Sequence, residues 1–170
     1  MKKIILSLVA IAAFGVANAQ EVKFGAMAGV DFASSKAKIS GFGSSSASET
    51  GFFVGGFADI TVSDKFHVQP ELLYVSVKDA DQISLPILAK FNVAESFNVL
   101  AGPSLGFLMD TADGIKSFNY GVDLGASYDI NEQFMVEARY DLGLANLFEG
   151  GDSDNSLKLG GVFVGVGYKF

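Results

Sequence analysis

The feature that most constrains this chain is a short pattern that occurs three times, over residues 60–68, 91–99 and 128–136. In each copy two apolar residues at alternate positions precede a three-residue polar turn, and an aromatic residue and a valine at alternate positions follow it. The apolar residues keep one parity across each turn, so they share one face of a tight β-hairpin. Three such hairpins predict an antiparallel sheet that runs up and down.

Extending this parity outward predicts eight strands. Seven of them cover about residues 22–32, 51–62, 66–77, 83–93, 97–109, 118–130 and 134–144, and the eighth ends at residue 170. The polar residues 33–50 are predicted to form a mobile loop, and residues 149–156 an acidic one. The last strand ends, and the first begins, at the level of the tight turns. These two strands can therefore pair and close the sheet.

The first residues have the pattern of an export signal. Residues 1–3 are basic, residues 4–17 are almost wholly apolar, and Ala17-Asn18-Ala19 matches a small-x-small cleavage site. We therefore predict a signal peptide at residues 1–19 and one mature domain at residues 20–170. The chain has no cysteine, which excludes both disulfides and a lipidated N-terminal cysteine.

Composition favours a barrel that spans a membrane. The mean hydropathy is +0.36 and only 18% of residues are charged, yet after residue 19 no apolar run is long enough for a membrane helix. A sheet can cross a bilayer only if it closes on itself. The competing hypothesis is a soluble lipocalin-like barrel, which would turn its apolar face inward. The polar face is rich in glycine and serine rather than in lysine and glutamate, which favours the membrane.

The parity also predicts which residues line the lumen and which meet the membrane interface. Charged residues of the polar face are expected to form a lumen ion-pair network of Glu71, Lys90, Asp123, Asp129, Glu137, Arg139 and Asp141. Aromatic residues beside the turns are expected at the interface: Phe66, Phe91, Phe97, Tyr128, Phe134, Tyr168 and Phe170. Five apolar residues fall on the polar face instead, namely Phe53, Phe57, Leu73, Val75 and Val77. Either a bulge near Gly55-Gly56 or Ser76 shifts the register, or the upper lumen holds an apolar plug.

Several motifs resemble one known family. The segments at residues 69–74 (QPELLY), 85–91 (LPILAKF), 102–106 (GPSLG) and 139–146 (RYDLGLAN) are similar to the motifs of PorT-like outer-membrane β-barrel proteins. The resemblance implies an all-β fold, an eight-stranded antiparallel up-and-down transmembrane β-barrel of the OmpA/OmpX type, in the outer membrane of a Gram-negative bacterium. The terminal Tyr168-Lys169-Phe170 resembles the signal that the outer-membrane assembly machinery recognises.

No residue pattern indicates catalysis, a cofactor or a metal. His67, the one histidine, has no serine placed to complete a nucleophilic triad and is expected to be a polar lumen residue. The acidic segment at residues 149–154 matches no EF-hand loop, and a solvated loop is the favoured interpretation. A formal net charge of −7 and a single arginine argue against nucleic acid as a partner. The chain is therefore not expected to be an enzyme.

Four functional hypotheses remain. The first is a small barrel with a structural or surface-interaction role through its external loops, with the outer-membrane bilayer and the assembly machinery as its expected partners. The second, an accessory of a protein-secretion apparatus, depends on the family resemblance alone. The others are a narrow solute channel and a soluble binding barrel. An eight-stranded interior is about wide enough for side chains only, which disfavours the channel. Other protein partners, and any ligand, cannot be identified from the sequence.

Overall fold

The computed structural model describes residues 21–41, 43–78, 80–109 and 111–170. This part of the chain forms eight strands: β1 (Val22–Ile39), β2 (Gly43–Ser63), β3 (Phe66–Ser76), β4 (Gln82–Asn92), β5 (Phe97–Leu108), β6 (Phe118–Asp129), β7 (Phe134–Gly143) and β8 (Ser156–Lys169). No helix within these ranges is long and apolar enough to cross a membrane. The predicted signal peptide lies outside the described residues.

Each strand pairs antiparallel with its neighbours in sequence, and β1 also pairs with β8, so the sheet is a closed barrel. Closure gives every strand of the wall two partners, which satisfies the backbone donors and acceptors that lipid could not. The three repeats form the β2–β3, β4–β5 and β6–β7 hairpins, and the remaining connections lie at the opposite end. The prediction of an eight-stranded antiparallel up-and-down barrel is confirmed.

The alternation of apolar and polar residues places the apolar face outside. On β6, Tyr120 is 47% exposed and Leu124 is 55% exposed, while Asn119, Asp123 and Ser127 between and beside them are buried. The same order holds on β8, where Val162, Val164 and Val166 face outward. A soluble barrel would have the opposite order, so the lipocalin-like alternative is wrong.

The predicted mobile loop at residues 33–50 is also wrong. β1 and β2 continue through this segment as paired strands, from Ala33↔Glu49 to Ile39↔Gly43. The backbone reverses beside Gly41 and Gly43, whose φ angles of 81° and 88° lie in the region that favours glycine. The strands persist without an apolar face because β1 is paired on its other side as well, with β8 as far as Lys38↔Ser156.

The apolar residues on the polar face form a plug inside the barrel. The register around Gly55 and Gly56 is continuous, and the one shift between β2 and β3 lies at Thr61/Ser63, so the suggested bulge is wrong. The plug consists of Met27, Phe53, Phe57, Leu73, Val75, Val77, Met135 and Phe163. Glycine makes room for its rings: a Cβ on Gly165 would lie 2.5 Å from Phe53 Cζ, and one on Gly25 2.3 Å from Phe57 Cζ.

Candidate functional site

Arg139 on β7 is the centre of a buried charge cluster in the middle of the lumen. Its Nη1 donates to Glu71 Oε2 on β3 at 2.7 Å and also to Glu137 Oε1. Its Nε lies 3.3 Å from Asp123 Oδ2 on β6, within ion-pair distance but without hydrogen-bond alignment. Because alternate residues of a strand share a face, Glu137 and Arg139 both point inward. There Arg139 meets Asp123 of the adjacent strand β6 and Glu71 of β3, which lies across the lumen. One guanidinium thus joins three carboxylates from three strands.

A second cluster occupies the end of the lumen near the tight turns. Lys90 Nζ donates to Asp59 Oδ2 at 2.8 Å, and Lys169 Nζ donates to Asp129 Oδ1 at 2.6 Å. Lys90 Nζ is also 4.0 Å from Asp129 Oδ2, which links the two pairs. Two ammonium groups face two carboxylates here, so the formal charges of this group balance.

The seven residues predicted as one network therefore divide between two levels. Glu71, Asp123, Glu137 and Arg139 belong to the central cluster, and Lys90 and Asp129 to the lower one. Asp141 has no ion pair among the described residues and accepts a hydrogen bond from Ser104 Oγ at 3.1 Å. Three participants were missing from the predicted network: Asp59 and Lys169 in the lower cluster, and Gln69, whose Nε2 donates to Glu71 and Glu137. The inward parity of these residues was the available signal.

His67 lies beside the lower cluster in an arrangement that differs from a nucleophilic triad. Its Nδ1 lies 2.7 Å from Asp59 Oδ1 and 3.3 Å from Thr61 Oγ1. A triad needs the carboxylate on one ring nitrogen and the hydroxyl on the other, because the proton passes through the ring. Here both groups contact the same nitrogen, so this geometry orients the imidazole and does not activate the hydroxyl.

The end of the lumen opposite the tight turns holds a half-open cavity of about 80 Å³. Its polar lining includes Asp31, Gln82, Asn119 and Asp141, and Phe163 of the plug contributes to its apolar lining. Asp31 is only 3% exposed and Asn119 only 4%, yet Asp31 Oδ1 and Asn119 Oδ1 have no hydrogen-bond partner. Gln82 Oε1 is likewise buried without a partner. Three of the six buried acceptors that lack a partner among the described residues thus belong to residues lining this one cavity.

The aromatic residues predicted for the interface all lie on the end of the barrel that carries the tight turns. Phe91, Phe97, Tyr128, Phe134 and Phe170 are between 42% and 77% exposed, and Phe66 and Tyr168 are half-buried. Their rings pack in pairs. The centroids of Phe134 and Tyr168 are 5.0 Å apart, and those of Phe66 and Phe91 are 5.9 Å apart. One rim of the barrel therefore carries several exposed aromatic rings, some of them packed against each other.

The acidic connection before β8 is held by its own hydrogen bonds. Asp152 Oδ1 accepts from the backbone N–H groups of Asp154 at 2.9 Å and Asn155 at 2.8 Å. These two N–H groups hold the pKa of the Asp152 carboxyl below its usual value. Asn146 Oδ1 accepts from the backbone N–H groups of Phe148 and Leu157, so the connection is fixed to the start of β8.

A closed eight-stranded sheet with an apolar exterior and a charged interior defines the class of outer-membrane β-barrels. The family model for the outer membrane protein beta-barrel domain matches residues 6–170, and the chain belongs to that family. The protein is therefore an integral barrel of the outer membrane. The match is to the general family and does not single out its PorT-like members.

Known structures with the same architecture share little sequence with this chain. A de novo designed transmembrane β-barrel is 13% identical with a TM-score of 0.52, covering 87% of this chain and 95% of its own. Neisserial surface protein A is 21% identical with a TM-score of 0.50, covering 88% and 99%. The attachment invasion locus protein of Yersinia pestis is 17% identical with a TM-score of 0.47, covering 87% and 99%. The first two similarities show the fold alone. No curated protein matches the chain.

Proposed function

We propose that this barrel has a structural and surface-contact role, and that it makes its contacts through the raised sheet formed by the upper parts of β1, β2 and β8. The observation that carries the proposal is an unpaired strand edge. β2 pairs with β3 only from Phe52↔Ser76 onward, so within the described part of the chain residues 43–50 pair with β1 on one side and with no strand on the other. Every residue from 43 to 50 is exposed.

The chemistry of this edge suits an extended peptide as its contact. An unpaired edge presents backbone N–H and C=O groups that a peptide can complete as an added strand. Proteins that avoid such pairing place lysine, proline or a bulge on the edge. Four of the eight edge residues are serine, the others are Gly43, Ala47, Glu49 and Thr50, and the pairing of the edge strand with β1 is regular. It is therefore open to strand addition by a partner outside the membrane.

Site-specific crosslinking in intact cells tests the proposal. A photo-crosslinking amino acid in place of Ser45 should yield a discrete protein adduct after irradiation. The same amino acid in place of Leu124, which is 55% exposed on the outer wall, should yield none because it faces lipid. A shortened hairpin should lose contacts made by the raised sheet. In that variant Asn-Gly joins Ser34 directly to Ser48, its register partner, and a crosslinker at the remaining edge residue Glu49 should give no adduct.

A matched control separates backbone from side-chain recognition. Ser44→Thr combined with Ser46→Thr keeps the edge and its strand propensity, so adduct formation at position 45 should persist. Absence of an adduct at every position from 44 to 50 would contradict the proposal.

Two alternatives are tested by other measurements. The plug fills the lumen, which disfavours a solute channel, and we expect no planar-bilayer current above the lipid background. An accessory role in protein secretion, like PorT-like membership itself, stays a prediction from sequence resemblance, which a secretion assay on a deletion strain would test. The proposal includes no catalytic step, because His67 lacks the geometry of a triad. Recognition of the terminal Tyr168-Lys169-Phe170 by the assembly machinery also stays a prediction.

A further inference from the structure

We propose that the cavity at the outer end of the lumen binds a primary ammonium group on a short apolar stem, with Asp31 as its counter-ion. The base of the raised sheet contributes Ser34, Ser35, Ala47 and Glu49 to the cavity wall, but the proposal does not require the raised sheet to contact a partner.

The first argument is the state of Asp31. Its side chain is 3% exposed and makes no hydrogen bond or ion pair with any described residue. A buried carboxylate without a partner is strongly unfavourable, and proteins keep such groups when something else completes them. A Cβ on Gly161 would lie 2.6 Å from Asp31 Oδ1, so β8 has a glycine where any larger residue would displace the carboxylate.

The second argument is the set of groups around it. Asn119 Oδ1 and Gln82 Oε1 are also buried acceptors without donors, and both residues line the same cavity. Gly106 lies against both: its Cβ would be 2.9 Å from Gln82 Oε1 and 3.4 Å from Asn119 Cβ. A primary ammonium offers three N–H donors and no acceptor, which matches one carboxylate and two amide oxygens.

The third argument is charge. No lysine, arginine or histidine lines the cavity, while Asp31, Glu49 and Asp141 do. The nearest guanidinium that we identify, Arg139, packs on the Phe163 ring with its Cζ 5.1 Å from the centroid. It is already shared by three carboxylates. Among the described residues, no lysine, arginine or histidine therefore forms an ion pair with Asp31, Glu49 or Asp141, although Arg139 lies near enough to attract Asp31 and Asp141.

The fourth argument is the apolar character of the walls, which favours an organic cation over a metal ion. Among the described residues, no three His, Cys, Asp or Glu side chains converge in a way that could hold one. The walls are largely apolar, with Val77, Leu159 and Phe163 among them. A volume of about 80 Å³ corresponds to roughly five to eight water-sized groups. An alkylammonium of a few carbon atoms can donate its N–H groups to the acceptors and pack its alkyl stem against the apolar walls.

Titration of the full chain in detergent micelles with butylammonium chloride, followed by amide NMR shifts, tests the site. We expect saturable shifts centred on Asp31, Gln82 and Asn119. Asp31→Asn keeps the shape but removes the charge, and should weaken binding by at least about thirtyfold. Asp64→Asn makes the same change in an exposed turn at the opposite end and should leave the affinity unchanged. Tetramethylammonium, which has no N–H donor, should not saturate the site.

Two further outcomes make the test decisive. Asp31→Asn removes a charge that lacks a protein partner, so without ligand it should unfold at the same urea concentration as the wild type or a higher one. A lower midpoint would assign Asp31 a structural role and overturn the proposal. The proposal would also be overturned if the amide shifts rose linearly with butylammonium concentration without saturating. It would equally be overturned if the Asp31→Asn variant gave the same shifts as the wild type. N-acetyl-lysinamide distinguishes the sources of the ammonium: binding of both probes indicates lysine side chains, and binding of butylammonium alone indicates a free amine.

Discussion

At the scale of single residues, the lumen depends on Arg139. Its guanidinium contacts Glu71, Asp123 and Glu137, so one side chain links β7 to its neighbour β6 and, across the interior, to β3. Breaking a buried ion pair by removing one partner is costly, because the other charge is left buried without compensation. Removal of the Arg139 guanidinium would leave three buried carboxylates without their cation.

Arg139→Ala is therefore expected to lower the free energy of unfolding by roughly 3–5 kcal/mol. The urea midpoint of the purified barrel in detergent, followed by circular dichroism, measures the change. Lys23→Ala is the matched control, since Lys23 pairs with Glu21 at 3.3 Å with both side chains largely exposed. Surface pairs contribute at most about 1 kcal/mol. An unchanged urea midpoint in Arg139→Ala would show that this cluster does not stabilise the barrel.

Asp152 gives a prediction for pH at the same scale. Its pKa is depressed from the ordinary 3.8, so its contribution to the order of the last connection is present above that value. This contribution is lost as the pH falls through the native pKa, below 3.8. Carboxyl NMR titration should find that pKa, and in Asp152→Ala the amide protons of Asp154 and Asn155 should exchange severalfold faster at neutral pH. Equal exchange rates in the two proteins would contradict the assignment.

At the scale of elements, β2 and β3 approach each other closely at Gly55. A Cβ on Gly55, which faces the lumen, would lie 2.0 Å from the backbone oxygen of Leu72 and 2.8 Å from Leu73 Cα. The adjacent Gly56 faces outward, and its Cβ would meet only Gly25 O, at 3.3 Å. Close approach of β2 to β3 therefore requires glycine at one of these two positions far more than at the other.

Gly55→Ala should destabilise the barrel by roughly 1–3 kcal/mol, because backbone atoms of β3 must move. Gly56→Ala should stay within about 0.5 kcal/mol of the wild type. The two variants differ by one position on one strand, so urea unfolding in the same detergent compares them directly. Equal losses of unfolding free energy in the two variants would show that the close approach of Gly55 to Leu72 is not the cause of the destabilisation.

At the scale of the whole molecule, the apolar exterior and the closed sheet require a bilayer. We expect the protein in the outer-membrane fraction, with a band that migrates differently in boiled and unboiled samples because the intact barrel resists detergent. Mass spectrometry of that band should place the N-terminus at Gln20. Recovery in the periplasmic supernatant without detergent would contradict the membrane assignment. An N-terminus at Met1 would contradict only the predicted cleavage of the signal peptide.

The sequence predicts the wall of the barrel better than its interior. Parity is a local property, so residues such as Leu124 and Asp123 are assigned to opposite faces from a few neighbours. Depth along the barrel axis is different, because it depends on how far each strand is staggered against the next. Parity therefore places Lys90 and Arg139 in one lumen but cannot separate their clusters. The raised hairpin was missed because its serine-rich strands carry no apolar face, and their pairing depends on β8, which is far away in sequence.

The pairing of β1 with β8 also sets the order of events during biogenesis. Asp31 on the first strand lies opposite Phe163 on the last, so the seam joins two segments separated by nearly the whole domain. Such distant contacts form late in folding because loop closure must come first. Until β8 is made, β1 has one unsatisfied edge and the open sheet can pair with any other nascent chain. A copy that terminates before β8 would keep that edge of β1 open, and we expect it to be cleared by proteolysis.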